Sequence, residues 1–359
     1  MMKVAIIGPD ASTVSGSLLR PLNILHAVHG MKTIKSRYVP IKSVTRIPFS
    51  VNSILQHDVV IISGVNPWIA TLICIIGRLF RKKVILDLHG CSWYEYSTVL
   101  KKNVMLAILL FSSELLACKL ASYVIVASKF LARLIGKVYR RRADKIIENA
   151  TTPIFESLAK TLARSDKLTL RALVERVIGI PLTNCKLLIA PLPNVFWQNL
   201  EAYKVLVSLL QGRPKNFKVI VTGLKGQIVN DGLICVGYVP YTLYVTLLLA
   251  SDGVILPYPH NAVCGGIRNK VLEAGYCKRL IISTRAGVFH MDARAWEDYI
   301  PLEYVGSTGG LEKIVEASYR CIENMFRKII ERHASNAFKL RILDVFNDFM
   351  RKYECTSST

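Results

Sequence analysis

Short, β-branched, almost wholly apolar runs alternate with helix-length segments along most of the 359 residues. In the first half they stand at Lys3–Gly8, Asp58–Gly64, Lys83–Leu88, Ser122–Ala127 and Lys145–Glu148. In the second half they stand at Lys186–Pro191, Phe217–Thr222, Leu233–Gly237, Gly253–Pro257 and Arg279–Ser283. Strands without polar alternation are covered on both faces, and strands separated by helices run parallel, so each series predicts one doubly wound sheet. The expected class is α/β with two such domains, residues 1–165 and 183–335, joined by a linker over 166–182. Strand pattern stops after Leu311, where Phe338, Ile342, Val345, Phe346 and Phe349 recur at helical spacing. Residues 336–359 are therefore expected to form a helix that returns to the first domain and ends in a frayed tail, Glu354–Thr359.

Composition narrows the partners. With 52 % apolar residues the chain can fill two cores, which excludes disorder as its main state. Lys and Arg number 47 against 25 Asp and Glu, a formal +22, and residues 1–150 hold 21 of the basic side chains but only 7 of the acidic ones. Such a surplus attracts an anion: nucleic acid, an anionic bilayer, or a phosphorylated small molecule. Nucleic acid ranks last, because the basic residues are scattered and no recognition helix or aromatic-basic motif occurs. The first ten residues read as a buried strand, and the apolar stretches Trp68–Phe80 and Val104–Ala117 are interrupted by Arg78 and Glu114. Neither reaches the ~18–20 residues of a spanning helix, so a cytoplasmic protein is expected. Nine cysteines without a CxxC pair read as core residues, and His26 and His29 lack a further metal ligand.

Open α/β sheets bind ligands outside the carboxyl ends of their strands, so the loops there carry the candidate chemistry, and the cleft between two such domains is the default site. The most informative loop runs from Tyr258 through Gly265 and Gly266 to Arg268, Asn269, Lys270 and Glu273. Glycine amides and a helix start, capped by Asn269, suit an anion; Arg268 and Lys270 add full charges, and Glu273 can accept ribose hydroxyls. A tight loop with a solvated Arg/Lys pair and a Glu complementing the helix dipole accounts for the same residues. In the first half His89 follows its strand directly, before Gly90, and the loop Gly8–Ser17, with Gly16, follows the first strand. A capping or core histidine and an N-capped turn are the plainer readings of these two.

The chain resembles family 4 retaining glycosyltransferases of the GT-B class. The resemblance rests on Lys270-Val271-Leu272-Glu273-Ala274, on Thr284-Arg285-Ala286-Gly287 after the strand at 279–283, on Val236–Pro240 with Leu247–Pro257, and on Asp87-Leu88-His89-Gly90 and Ser122–Ser128. It implies a GT-B-like pair of Rossmann-like domains facing a central cleft. It also implies retaining transfer of a hexose or N-acetylhexosamine from a nucleoside diphosphate sugar, the donor substrate, to a lipid-linked or polysaccharide acceptor. His89 would meet the donor sugar and Gly16 would lie under its phosphates; with Gly265, Gly266, Arg268 and Lys270 around the diphosphate and Glu273 on the ribose, His89 and Glu273 are the catalytic candidates. No DxD occurs, so neither a metal nor another cofactor is expected.

Two features depart from the family. Its paired glutamates stand eight positions apart, and eight before Glu273 is Gly265; the Arg and Lys expected after the first strand of the second domain are absent from Ala190–Asn199. Arg268 and Lys270 are the available substitutes. The alternative reading is an inactive GT-B-like scaffold at a membrane. Around Val104–Phe111, the cations Lys101, Lys102, Lys129, Arg133, Lys137 and Arg140–Arg142 suit an anionic leaflet, predicting a peripheral protein on the inner face of the cell membrane. A buried helix followed by a solvated basic stretch fits equally.

Overall fold

In the computed structural model the described residues are 1–10, 16–41, 47–95, 103–182, 184–193, 197–210, 217–230, 232–304 and 318–357. They fall into two compact units: Met1–Thr152 with Cys264–Ile267 and Arg332–Thr359, and Pro153–Val263 with Arg268–Glu331.

The first unit alternates β1 (Met2–Pro9), α1 (Gly16–His29), β2 (Ile34–Ile41), α2 (Ile47–Leu55), β3 (Val59–Ser63), α3 (Pro67–Leu79), β4 (Lys83–Leu88), α4 (Ser92–Glu95), α5 (Val104–Leu120), β5 (Tyr123–Val126), α6 (Lys129–Tyr139) and β6 (Lys145–Ile146). Its strands form one parallel sheet in the order β2-β1-β3-β4-β5-β6. Successive residues of a strand serve opposite faces. Ala5, Ile7, Val60, Ile62, Val84 and Leu86 pack with α3, α5 and α6, whereas Val4, Ile6, Ile61 and Ile85 pack with Ile24, Val28, Phe338 and Phe346.

The second unit holds α7 (Pro153–Leu162), α8 (Lys167–Ile178), β7 (Lys186–Pro191), α9 (Trp197–Leu210), β8 (Phe217–Thr222), β9 (Lys225–Asn230), β10 (Leu233–Gly237), α10 (Tyr241–Ala250), β11 (Gly253–Leu256), α11 (Asn269–Tyr276), β12 (Leu280–Ser283), β13 (Ile300–Pro301) and α12 (Tyr319–Arg332). Its sheet runs β13-β12-β11-β7-β8-β10-β9, with only β9 antiparallel. Counted from β7, the parallel strands follow the order 3-2-1-4-5-6 of a dinucleotide-binding sheet, which reverses between β7 and β11.

All ten expected strands form, and β2, β9 and β13 are additional. The last helix, α13 (Ser335–Ser357), belongs to the first unit and lays Phe338, Ile342, Val345, Phe346 and Phe349 against α1 and the sheet. The helix extends to Ser357, into the tail from Glu354 that was expected to fray, and no glycine or proline interrupts it between 335 and 357. The expected linker is a structured part of the second unit: α8 packs on α10, and its buried Arg171 donates to the Ala250 carbonyl (3.0 Å) and to Asp252 (2.7 Å). α7, which a boundary at 165 places in the first domain, also packs on α10. No helix among the described residues is long and apolar enough to cross a membrane.

Candidate functional site

In the second unit the loops after β7 and β11 lie at the switch point, and the basic pair converges there. Lys270, in the first turn of α11, donates from Nζ to the Tyr258 hydroxyl (2.6 Å) and to the carbonyl of Pro191, the last residue of β7. Tyr258 in turn donates to Asn199 Oδ1 (2.6 Å) in the first turn of α9. Arg268 lies over the Tyr258 ring, 3.8 Å from its centroid, and donates to Gln198 Oε1 at 3.0 Å. Gln198 is fixed by its own donation to the Val263 carbonyl (2.6 Å), and Thr284 by its hydroxyl on the Tyr258 carbonyl (2.7 Å). Burial, with Arg268 close by, holds the Lys270 ammonium below its ordinary pKa, while Tyr258 and Glu273 partly offset that. Two cations thus stand at the end of β7 and the start of α9, where the sequence itself carries none.

The cap of α11 differs from expectation. Arg268, not Asn269, occupies the N-cap and makes no side-chain capping bond, because a guanidinium has no acceptor to offer the helix amides; it is engaged instead with Gln198 and Tyr258. Asn269 is the first helical residue.

Glu273 lies on the buried face of α11, 6 % exposed. Its Oε1 accepts from Tyr241 (3.1 Å) and its Oε2 from Tyr244 (2.9 Å), two tyrosines one turn apart on α10. Burial raises its pKa to about 7, although both hydroxyls and Lys270 favour the ionised form. The folded state therefore binds this proton more tightly than the unfolded chain. Its stabilising contribution is complete below the ordinary carboxylate pKa of 4.5 and is lost as pH rises through about 7. That shift corresponds to about 3 kcal/mol. Between pH 5 and 8 the unfolding free energy of the wild type is expected to fall more steeply than that of Glu273→Gln by roughly that amount; parallel pH profiles of the two proteins in urea unfolding would contradict the assignment.

In the first unit His89 follows β4 directly. The residue is half-buried, but its Nδ1 is buried and has no hydrogen-bond partner among the described residues. Burial and the Arg20 charge outweigh Asp87 and push its pKa down to about 4, so the ring is neutral at physiological pH. Asp87, two residues earlier, is 3 % exposed and accepts from Arg20 Nη2 (2.6 Å), from Arg20 Nε (2.8 Å) and from Ser63 (2.6 Å). Burial alone would raise its carboxyl, but the Arg20 charge and hydrogen bonds bring it below the ordinary value.

Gly265 and Gly266 also belong to this first unit. The Gly265 carbonyl accepts from Ser128 (2.5 Å), while its N–H donates to Glu95 Oε1 at 2.6 Å. An amide already given to a carboxylate does not offer itself to a diphosphate, so the anion-cradle reading of Gly265 does not hold in this conformation. Asn149 anchors the same loop by donating to the Ile267 carbonyl (2.8 Å). Gly16 is the first residue of α1, and residues 11–15 of its loop lie outside the described residues. Among the described residues no group of three His, Cys, Asp or Glu side chains gathers as a metal site.

Reading the sequence missed Gln198, Tyr241 and Tyr244, and the network around Arg20. The tyrosine pair had a signal, its i, i+3 spacing on a helix; Gln198 stood in a loop noted only for lacking charge.

No protein-family model matches the chain, and no curated protein matches it. Solved structures do. Anabaena HepE in complex with UDP-glucose is similar with a TM-score of 0.69 at 13 % identity, over 97 % of this chain and 100 % of that one. A glycosyltransferase from Rickettsia africae gives 0.62 at 15 % identity, over 97 % and 98 %. UDP-GlcNAc 2-epimerase from Neisseria meningitidis, bound to UDP-GlcNAc, gives 0.58 at 12 % identity, over 97 % and 100 %. With the two doubly wound sheets and the C-terminal helix packed in the first unit, these likenesses establish the GT-B fold for this chain.

Proposed function

We propose that the protein is a nucleotide-sugar-dependent glycosyltransferase that transfers a hexose or N-acetylhexosamine with retention to a lipid-linked or polysaccharide acceptor. The observation that carries this reading is the placement of Arg268 and Lys270 at the switch point of the second sheet, at the end of β7 and beside the first turn of α9. The barrier to transfer is departure of the diphosphate, which gains negative charge as the sugar becomes oxocarbenium-like. Preset cations stabilise that charge without reorganisation, and they take the part that a metal ion plays elsewhere. The nucleotide sugars in complex with HepE and the Neisseria epimerase favour a uridine nucleotide donor.

On the acceptor side, Val104, Met105, Ile108 and Leu109 are exposed on the first two turns of α5. Lys129, Arg133 and Lys137 are exposed at i, i+4 and i+8 on α6. Apolar side chains and cations on the same unit suit the anionic surface on which a lipid-linked acceptor lies.

A thermal-shift panel of nucleoside diphosphates and their sugars, with EDTA present, tests the donor site. One nucleotide is expected to raise the Tm by several degrees at about 100 times its Kd, a stabilisation of about 2.7 kcal/mol, and Lys270→Met is expected to abolish the rise. Stabilisation by none of them would favour an inactive GT-B scaffold. Stabilisation only with added divalent ion would overturn the metal-free reading.

A further inference from the structure

We propose that Glu95 is a sugar-binding residue whose carboxylate accepts hydroxyl groups of the transferred hexosyl unit, a role that rests on the transferase reading above. Position 265 has no room for a side chain: a Cβ there would stand 2.5 Å from Gly90 Cα and 2.7 Å from the His89 carbonyl oxygen. Both atoms are backbone and cannot turn aside. The loop at 264–267 therefore lies directly on the His89–Gly90 turn, and the negative charge at this spot comes from Glu95, through its 2.6 Å bond to the Gly265 amide.

The short helix that carries the carboxylate is anchored to its surroundings. Glu95 ends the short helix α4, whose first amide, Ser92 N, donates to Glu114 Oε1 on α5 at 2.6 Å. Glu114 is 4 % exposed and also accepts from Tyr139 (2.9 Å), which takes the Trp93 indole N–H at 2.6 Å. The ring of Trp93 meets Phe111 edge-on, 5.5 Å between centroids. An acid bonded to the glycine loop, at the carboxyl end of a parallel strand, stands where such sheets take ligands.

A second feature of the same turn points to a polar ligand. Among the described residues His89 Nδ1 is buried there without a partner, and a buried polar atom of this kind calls for one, which a bound hydroxyl can supply. A neutral imidazole and a carboxylate around one turn match a polyhydroxylated group, whose hydroxyls donate to carboxylates and both donate to and accept from imidazole nitrogens.

Glu95→Gln separates this role from a purely structural one, because the amide oxygen of glutamine can still accept from Gly265 while the charge is lost. Titration calorimetry with UDP-glucose and UDP, and with GDP-mannose and GDP, is run alongside kcat/KM for donor hydrolysis or transfer. In Glu95→Gln the nucleoside diphosphate is expected to bind as in the wild type, which also certifies folding. Affinity and kcat/KM for the nucleotide sugar are expected to fall roughly thirtyfold, the worth of a hydrogen bond to a charged acceptor. A Glu95→Gln protein with wild-type affinity and kcat/KM for the sugar overturns the assignment while leaving the transferase reading intact. A wild type that binds none of the four ligands overturns both. Glu95→Ala is expected to match or exceed the loss in Glu95→Gln; loss in the alanine variant alone would reduce Glu95 to a tether of the Gly265 loop.

Discussion

Asp87→Ala is expected to destabilise the first unit by about 3–5 kcal/mol, the range for breaking a buried ion pair from one side. The pair is Asp87 with Arg20, 3 % and 4 % exposed. The guanidinium donates to the carboxylate through Nε and Nη2, passes its Nη1 to Asn149 (2.9 Å), and lies over the Phe338 ring 5.7 Å from its centroid. Removing the carboxylate leaves a positive charge among apolar groups and takes the acceptor from Ser63 as well. The lowered pKa of Asp87 makes its contribution complete at neutral pH and lost only on acidification through that lowered value. Urea unfolding monitored in the first unit measures the cost. Asp87→Leu combined with Arg20→Met should recover most of it, since an apolar pair of similar volume pays no desolvation. A cost below about 1 kcal/mol, the value of a solvated surface pair, would mean that water reaches the pair.

The same pair shows where reading the chain stops. Asp87 sits in a strand and reads as a turn anchor, while Arg20 is one of many cations; they stand 67 positions apart, with no local sign that they meet. The central strands were legible because both faces are apolar, as in β3, whose five residues are all buried. β2 was not, because it is a sheet edge: Lys35, Ser36, Arg37 and Pro40 interrupt its apolar positions, which is how an exposed edge is kept from pairing further. β9 is a polar antiparallel edge strand, Lys-Gly-Gln-Ile-Val-Asn, and offers no apolar run to find. At the switch point of the second sheet the cations were visible as a local cluster on one loop. The groups that aim them were not, because Pro191 and Gln198 approach from 79 and 70 residues away.

Gly265 is where local reading and fold diverge most, and substitution there is expected to have the largest effect on activity. By the resemblance alone, glutamate at 265 should restore a missing acid. The packing predicts the reverse, since any Cβ meets the backbone of His89 and Gly90 at 2.5–2.7 Å and the loop must withdraw. Withdrawal breaks the Glu95 bond and the Ser128 bond together. Gly265→Ala should therefore lower kcat/KM by about a hundredfold, the scale of an ångström-level misplacement, and cost about 1–3 kcal/mol of stability from overpacking. Gly265→Glu should be no better than Gly265→Ala, because the steric fault lies at Cβ and a carboxylate beyond it cannot repair the loop. Steady-state kinetics of both variants beside the wild type decide the matter. Activity of Gly265→Glu at or above wild type would mean that the loop swings clear of the His89 turn, and that the acid at 265 acts in a conformation other than this one.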